Sequence, residues 1–355
     1  MFTNPFSPIF GGKPGVFFGR ERILDLFDHA MIDTGSDDRA MFITGTRGSG
    51  KTALLEQLSI RARAKKRVVI DLGPENTIAQ LIHELAGYDE VTKTVSPQSL
   101  LLEKCSNAKK GILVTVDEVQ KVPVEDVSSL CNAFQMASRK GYDIMLVVAG
   151  LPYAYSEIIK HEGCTYLRRA SHEELGLFTW EEAEDAFSKM FSGIRGLKID
   201  REIIDELNKV SFGQPYLMQL LGYHLIQQIN DHDPEKKHTV TKTELRETVK
   251  NALFAYEQRA LKPLMEELPN GEKAYLTKMS ECLDAERLAA TIDIARSMGG
   301  PQNKLSRSRA YLIDQGIIAA PERGKVMFCI PYLADYVKKE ESVSSAVEIA
   351  RQRKV

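Results

Sequence analysis

Apolar positions follow two alternating rhythms over the first half of the chain. Short continuous apolar runs at 41–44, 67–72, 111–116 and 142–149 read as strands buried on both faces. Between them the spacing changes to that of amphipathic helices. These are expected at 20–32, where Ile23, Leu24, Leu26 and Phe27 form the apolar face, at 51–65, around 78–85, and at 99–106 and 126–140. Runs of this kind alternating with helices of about 10–15 residues predict βαβ units and a parallel sheet covered on both sides. The fold class is therefore α/β. After Gly150 the rhythm is helical throughout, over 179–191, 200–210, 215–230 and 242–267, with a charged, proline-containing break at 231–237. A further unit begins at Glu272. It predicts helices at 272–283, 288–298 and 304–315, then a hairpin of 317–320 and 326–330 joined by 321–325. Residues 1–19 are rich in Pro, Gly and Phe and read as an extended arm held on the domain by its phenylalanines. The expected boundaries are 1–170 for the arm and sheet core, 171–268 for a helical subdomain, 269–340 for the C-terminal unit and 341–355 for a polar tail.

Composition narrows the function classes. Lys and Arg total 47 and Asp and Glu 49, a net charge of −2, so any attraction to nucleic acid must come from a local patch. The longest apolar runs, 112–116 and 144–150, fall far short of the ~20 residues that cross a bilayer. The N-terminus has neither the basic nor the apolar region of a signal peptide. Five scattered cysteines without a CxxC pair argue against zinc and against a disulfide framework, and point to the reducing cytoplasm. The seven histidines show no metal-ligand spacing.

Chemistry concentrates at the ends of the predicted strands. Gly45-Thr46-Arg47-Gly48-Ser49-Gly50-Lys51-Thr52 fits G-x-x-x-x-G-K-[ST] at every fixed position, with a strand before it and a helix after. The glycines let consecutive N–H groups turn toward phosphate oxygens, and the helix adds the positive end of its dipole. Lys51 is expected to neutralise the β- and γ-phosphates, and the Thr52 hydroxyl to ligate Mg²⁺. The run Ile112-Leu113-Val114-Thr115-Val116 delivers Asp117 and Glu118 at its carboxyl end. There Asp117 suits the metal, and Glu118 suits the general base that polarises the attacking water. The strand at 142–149 ends in Ala149 and Gly150, where many P-loop ATPases carry a polar residue that senses the γ-phosphate. The expectation is slow hydrolysis, with sensing left to backbone groups or to Tyr153.

Three further motifs, with the glycine-rich loop, carry a family resemblance over about residues 15–340. Phe17-Phe18-Gly19-Arg20-Glu21 resembles the FxGRExE motif shared by AAA+ ATPases of the origin-recognition type and the related STAND signalling ATPases. Phe178-Thr179-Trp180-Glu181-Glu182-Ala183 resembles the start of their helical lid, and Ser211-Phe212-Gly213-Gln214-Pro215 their G-x-P motif. The resemblance implies an AAA+-like P-loop NTPase core with a helical lid. It implies ATP as the nucleotide, since no N-K-x-D guanine motif stands out. It further implies that Phe18 and Gly19 lie near the adenine and that Gly213 and Pro215 contact the nucleotide from the lid. Arg168 or Arg169 is implied as an arginine acting on a neighbouring subunit, in a homo-oligomer. The lid departs from the AAA+ pattern, because residues 216–230 hold no Arg or Lys, only His224.

Three helices followed by a hairpin is the order of a winged helix. Residues 305–313 are its expected recognition helix, with Asn303, Lys304, Arg307 and Arg309 outward and Arg323 and Lys325 at the wing tip. Residues 296–325 carry six cations (Arg296, Lys304, Arg307, Arg309, Arg323 and Lys325) against Asp314 and Glu322, a local excess of +4. That excess suits double-stranded DNA. The resulting expectation is an ATP-driven switch that couples nucleotide state to DNA binding. Two alternatives stay open: a STAND-type signalling or defence regulator whose winged helix binds protein, and a helper ATPase that recruits a transposase or nuclease.

Overall fold

The apolar runs of the first half pair into one parallel sheet. A computed structural model of the chain describes residues 1–9, 17–75, 80–81, 97–232 and 237–340. They divide into a first unit, Ser7–Leu177, and a second, Met1–Phe6 with Phe178–Val355. In the first unit β1 (Ala40–Gly45), β2 (Val68–Leu72), β3 (Ile112–Val116), β4 (Ile144–Gly150) and β5 (Ser171–Leu175) form a sheet in the order β2-β3-β4-β1-β5. Every neighbouring pair is parallel. Thr44 lies opposite Gly150 and Gly45 opposite Leu175, so the carboxyl ends of β1, β4 and β5 reach one edge. Ligands bind at that edge in open parallel sheets.

Alternation along the strands splits the core in two. Phe42, Val114, Leu146 and Val148 pack on one face, against Leu130, Phe134 and Ala137. Met41, Ile43, Leu113, Met145 and Val147 pack on the other, against Phe27, Leu54 and Leu58. The covering helices are α1 (Glu21–Ala30), α2 (Lys51–Ala64), α3 (Pro97–Asn107) and α4 (Val124–Arg139). Helices α5 (Pro152–Lys160) and α6 (Thr165–Arg168) lead from β4 to β5.

Two features move the expected boundaries. β5 extends the sheet past residue 170, where the sequence pattern places the start of the helical subdomain, and the unit ends at Leu177. Ser-His-Glu-Glu-Leu buries only Glu173 and Leu175, and the Glu173 carboxylate pairs with Arg22. A polar edge strand of this kind leaves almost no apolar pattern. The N-terminal arm, expected on the sheet core, packs its first six residues on the second unit instead. Phe2 N donates to Asn230 Oδ1 (2.6 Å), Asn4 Nδ2 donates to the Tyr223 carbonyl (3.1 Å), and the buried Phe6 ring lies 4.9 Å from that of Phe191.

The second unit begins with α7 (Trp180–Ser192), α8 (Arg201–Ser211), α9 (Pro215–His232) and α10 (Lys242–Tyr256). Capping boxes at Thr179/Glu182 and Thr241/Glu244 fix the starts of α7 and α10. Two-residue strands β6 (Leu197–Lys198) and β7 (His238–Thr239) pair parallel between them, where the sequence shows no clear strand. Helices α11 (Lys262–Glu267) and α12 (Asn270–Glu281) follow. The helix expected at 288–298 is divided into β8 (Leu288–Ala290) and α13 (Thr291–Ser297). Leu-Ala-Ala is a good helix former, but Ala289 pairs with Val326, and this tertiary contact overrides propensity. Then come α14 (Ser306–Asp314), β9 (Ile318–Ala319) and β10 (Lys325–Phe328). The three short strands form an antiparallel sheet in the order β8-β10-β9.

The helix expected at 78–85 lies outside the described residues except for 80–81, as do the central part of the arm, residues 233–236 and the tail 341–355. Among the described residues no helix is long and apolar enough to cross a membrane.

Removing the Phe6 ring by Phe6→Ala is expected to destabilise the second unit by about 3–5 kcal/mol, the usual range for a buried aromatic. Urea unfolding followed through Trp180, the one tryptophan of the chain, reads this directly. An unchanged midpoint would show that the arm adds no packing energy.

Candidate nucleotide site

The turn from β1 into α2 is closed by contacts that only glycine permits. A Cβ on Gly45 would lie 2.5 Å from Ser49 Oγ and 3.0 Å from the Leu175 carbonyl. Gly48 and Gly50 take φ of 80° and 93°, in the left-handed region. The loop folds back on itself, and the N-terminus of the 14-residue α2 opens from it. Buried inside the loop, Ser49 Oγ has no hydrogen-bond partner. An orphaned polar atom in such a place calls for a polar occupant.

Lys51 is the charge at the centre. It is only 6% exposed, and its ammonium donates to the carbonyls of Gly45 (2.9 Å) and Thr46 (3.1 Å). Burial holds its pKa below the ordinary lysine value; Glu118 and Asp117 act against that shift, and Arg47 adds to it. The Thr52 hydroxyl donates to Asp117 Oδ2 at 2.6 Å, joining the first turn of α2 to the end of β3. The other oxygen of Asp117 accepts from the Glu118 amide (2.8 Å). This hydroxyl–carboxylate pair is a hard-oxygen donor set of the kind that holds Mg²⁺. The curled loop, the orphan hydroxyl and the buried cation fit a polyphosphate.

Glu118 sits in left-handed backbone, φ 52° and ψ 42°. Non-glycine residues rarely adopt that conformation, and it clusters at functional sites. Its carboxylate accepts from Gln120 Nε2 at 2.9 Å and lies 3.3 Å from the Lys121 ammonium. Gln120 went unnoticed in the sequence pattern, and only its place two residues beyond Glu118 hints at a role.

Phe18 and Gly19 precede α1, and the segment after them is anchored near the same sheet edge. Arg20 donates to the Gly176 carbonyl and Arg22 pairs with Glu173, on either side of the Leu175 that faces Gly45. Arg168 and Arg169 are both exposed, and Arg168 Nε donates to the Ile159 carbonyl (2.9 Å). Gly213 and Pro215 belong to the second unit. The Gly213 carbonyl accepts from Phe178 N (2.8 Å), and Pro215 opens α9.

The C-terminal cations divide differently from the expectation that all face outward. Asn303, Lys304, Arg307 and Arg323 are exposed. Arg309 is half-buried and near the Tyr275 phenol, which burial pushes up to about 12 and Arg309 draws down. Lys325 lies 3.0 Å from Glu322 and 4.0 Å from Asp284, so its charge is largely answered within the fold.

Residues 29–147 match the family model of the AAA domain, and residues 258–337 match a domain of unknown function, DUF8462. No curated protein matches the chain. Among solved structures, the Orc2 protein of Aeropyrum pernix in its ADPNP–ADP complexes is 15% identical, with a TM-score of 0.65 over 92% of this chain and 93% of that one. The Orc1 protein of Aeropyrum pernix in complex with DNA is 16% identical, with a TM-score of 0.50 over 93% and 95%. Cdc6p of Pyrobaculum aerophilum is 15% identical, with a TM-score of 0.51 over 90% and 93%. The first unit is an AAA-type P-loop ATPase core, and the chain has the fold of the Orc/Cdc6 proteins.

Because an anion raises the pKa of a neighbouring ammonium, triphosphate binding is expected to take up a proton above the pKa of free Lys51. Affinity for a fluorescent ATP analogue should therefore fall as the pH rises through that value, below the ordinary 10.5. Lys51→Arg should move this limb to higher pH, since guanidinium stays charged. An identical profile in both proteins would remove Lys51 from the phosphate site.

Proposed function

We propose that this chain is an ATP-driven switch: its core binds ATP with Mg²⁺ and hydrolyses it slowly, and its C-terminal unit engages double-stranded DNA. The observation that carries the reading is the Thr52–Asp117 hydrogen bond beside the buried Lys51. Together these supply a metal pair and a phosphate cation at the mouth of a glycine loop. The loop amides and Lys51 would hold the phosphate oxygens, and Thr52 and Asp117 would hold the metal, which would supply neutralisation of the phosphate charge. Glu118 orients the attacking water and accepts its proton. The family resemblance supplies the remaining roles: Phe18 and Gly19 toward the adenine, Gly213 and Pro215 toward the nucleotide, and Arg168 or Arg169 toward a neighbouring copy in a homo-oligomer.

For the C-terminal unit, the helices α12, α13 and α14 with the sheet β8-β10-β9 support a winged helix. Asn303, Lys304 and Arg307 lie at its recognition helix and Arg323 at its wing. Arg309 and Lys325 now contribute less to that surface than their number suggests. The DNA complex of the similar Orc1 protein favours DNA as the partner. The same pairing of charges favours a second reading, in which this unit docks on protein, as in a signalling or defence regulator or a helper ATPase.

Glu118→Gln is expected to lower turnover by ~10²–10⁴, the usual contribution of a general base, while ATP still binds. A phosphate-release assay beside an ATP-binding titration checks both parts. DNA affinity measured at two salt concentrations, with ATP–Mg²⁺, with ADP and without nucleotide, separates the two readings of the C-terminal unit. Wild type should bind more tightly with ATP. Arg307→Ala/Arg323→Ala should flatten the log–log salt slope by about 2, roughly 1 for each lost phosphate contact. Absence of DNA binding in every state, with ATP binding intact, would give the C-terminal unit to a protein partner.

A further inference from the structure

The geometry points to Gln120 as a positioning residue for ATP hydrolysis, one whose side-chain amide ties Glu118 to the end of β4 and fills the place where a polar sensor residue is lacking. This rests on the ATPase reading above and deepens it. Gln120 Nε2 donates to Glu118 Oε2 at 2.9 Å, and Gln120 Oε1 accepts from Leu151 N at 3.1 Å. A carboxylate can only accept and a backbone N–H can only donate, so these partners fix which way the amide points. The amide thus spans from the base to the first peptide after β4.

Gly150 makes the span possible. A Cβ there would lie 2.7 Å from Gln120 Oε1 and 2.8 Å from Val119 Cγ1. The small residue at the strand end is the space that the Gln120 carboxamide needs. β4 pairs with β1 at Thr44↔Gly150, immediately before the loop that ends in Lys51. Any shift of that strand end on filling the phosphate site therefore acts on the amide, and through it on Glu118.

Turnover and ATP affinity of wild type, Gln120→Met, Gly150→Ala, the double variant and Glu118→Gln test this. Gln120→Met keeps the length and removes both hydrogen bonds. It should lower kcat by about tenfold to a hundredfold, the scale of a base misplaced by about 1 Å, with KM within about twofold. Gly150→Ala displaces the same amide, so the double variant should be no slower than the slower single variant. A Gln120→Met kcat equal to wild type, a loss confined to KM, or additive effects in the double variant overturns the proposal. In the nucleotide-free protein, the Gln120 amide signals, assigned by their loss in Gln120→Met, should shift in Glu118→Ala; unmoved signals also overturn it. If Gly150→Ala does not fold, Gln120→Met and the amide signals decide alone. Active Gln120→Met beside inactive Glu118→Gln would remove the tether and leave the ATPase reading standing. A wild type without turnover would remove both.

Discussion

A buried ammonium is the constraint around which the first unit is arranged. A charge taken out of water is tolerated only where polar groups meet it. Lys51 meets the carbonyls of Gly45 and Thr46 in the same loop, with the carboxylates of Asp117 and Glu118 acting on it from β3. The loop carbonyls can turn inward only because Gly45 leaves room for Ser49 beneath them. The carboxylates are near only because β1 and β3 run parallel in one sheet, separated by β4. The sheet order and the glycine turn thus converge on one cation.

How much of this was legible depends on how far apart in sequence the interacting groups lie. The glycine loop was legible because its residues are consecutive and their chemistry is local. Asp117 and Glu118 were legible because a continuous apolar strand ends at them. β5 was not, because its buried Glu173 is made tolerable by Arg22, 151 residues earlier. The strand at 288–290 was hidden by its own helix propensity and declares itself only through Val326. The first residues of the arm find their partners Asn230 and Tyr223 more than 200 residues away. No local pattern could have assigned them to the second unit.

The same reasoning applies to charge and to polar groups missing from a strand end. Counting residues 296–325 gave a basic segment, yet Asp284, from outside that window, lies 4.0 Å from Lys325, and Arg309 is half-buried near Tyr275. A sequence window counts charges; a surface presents only those left unanswered. The reverse holds at the end of β4, where Ala149 and Gly150 offer no polar side chain. There the polar atoms arrive from the neighbouring segment as the Gln120 amide, into space that Gly150 leaves open. A small residue at a strand end is therefore weak evidence of a missing function, because the vacancy can be what admits the functional group from next door.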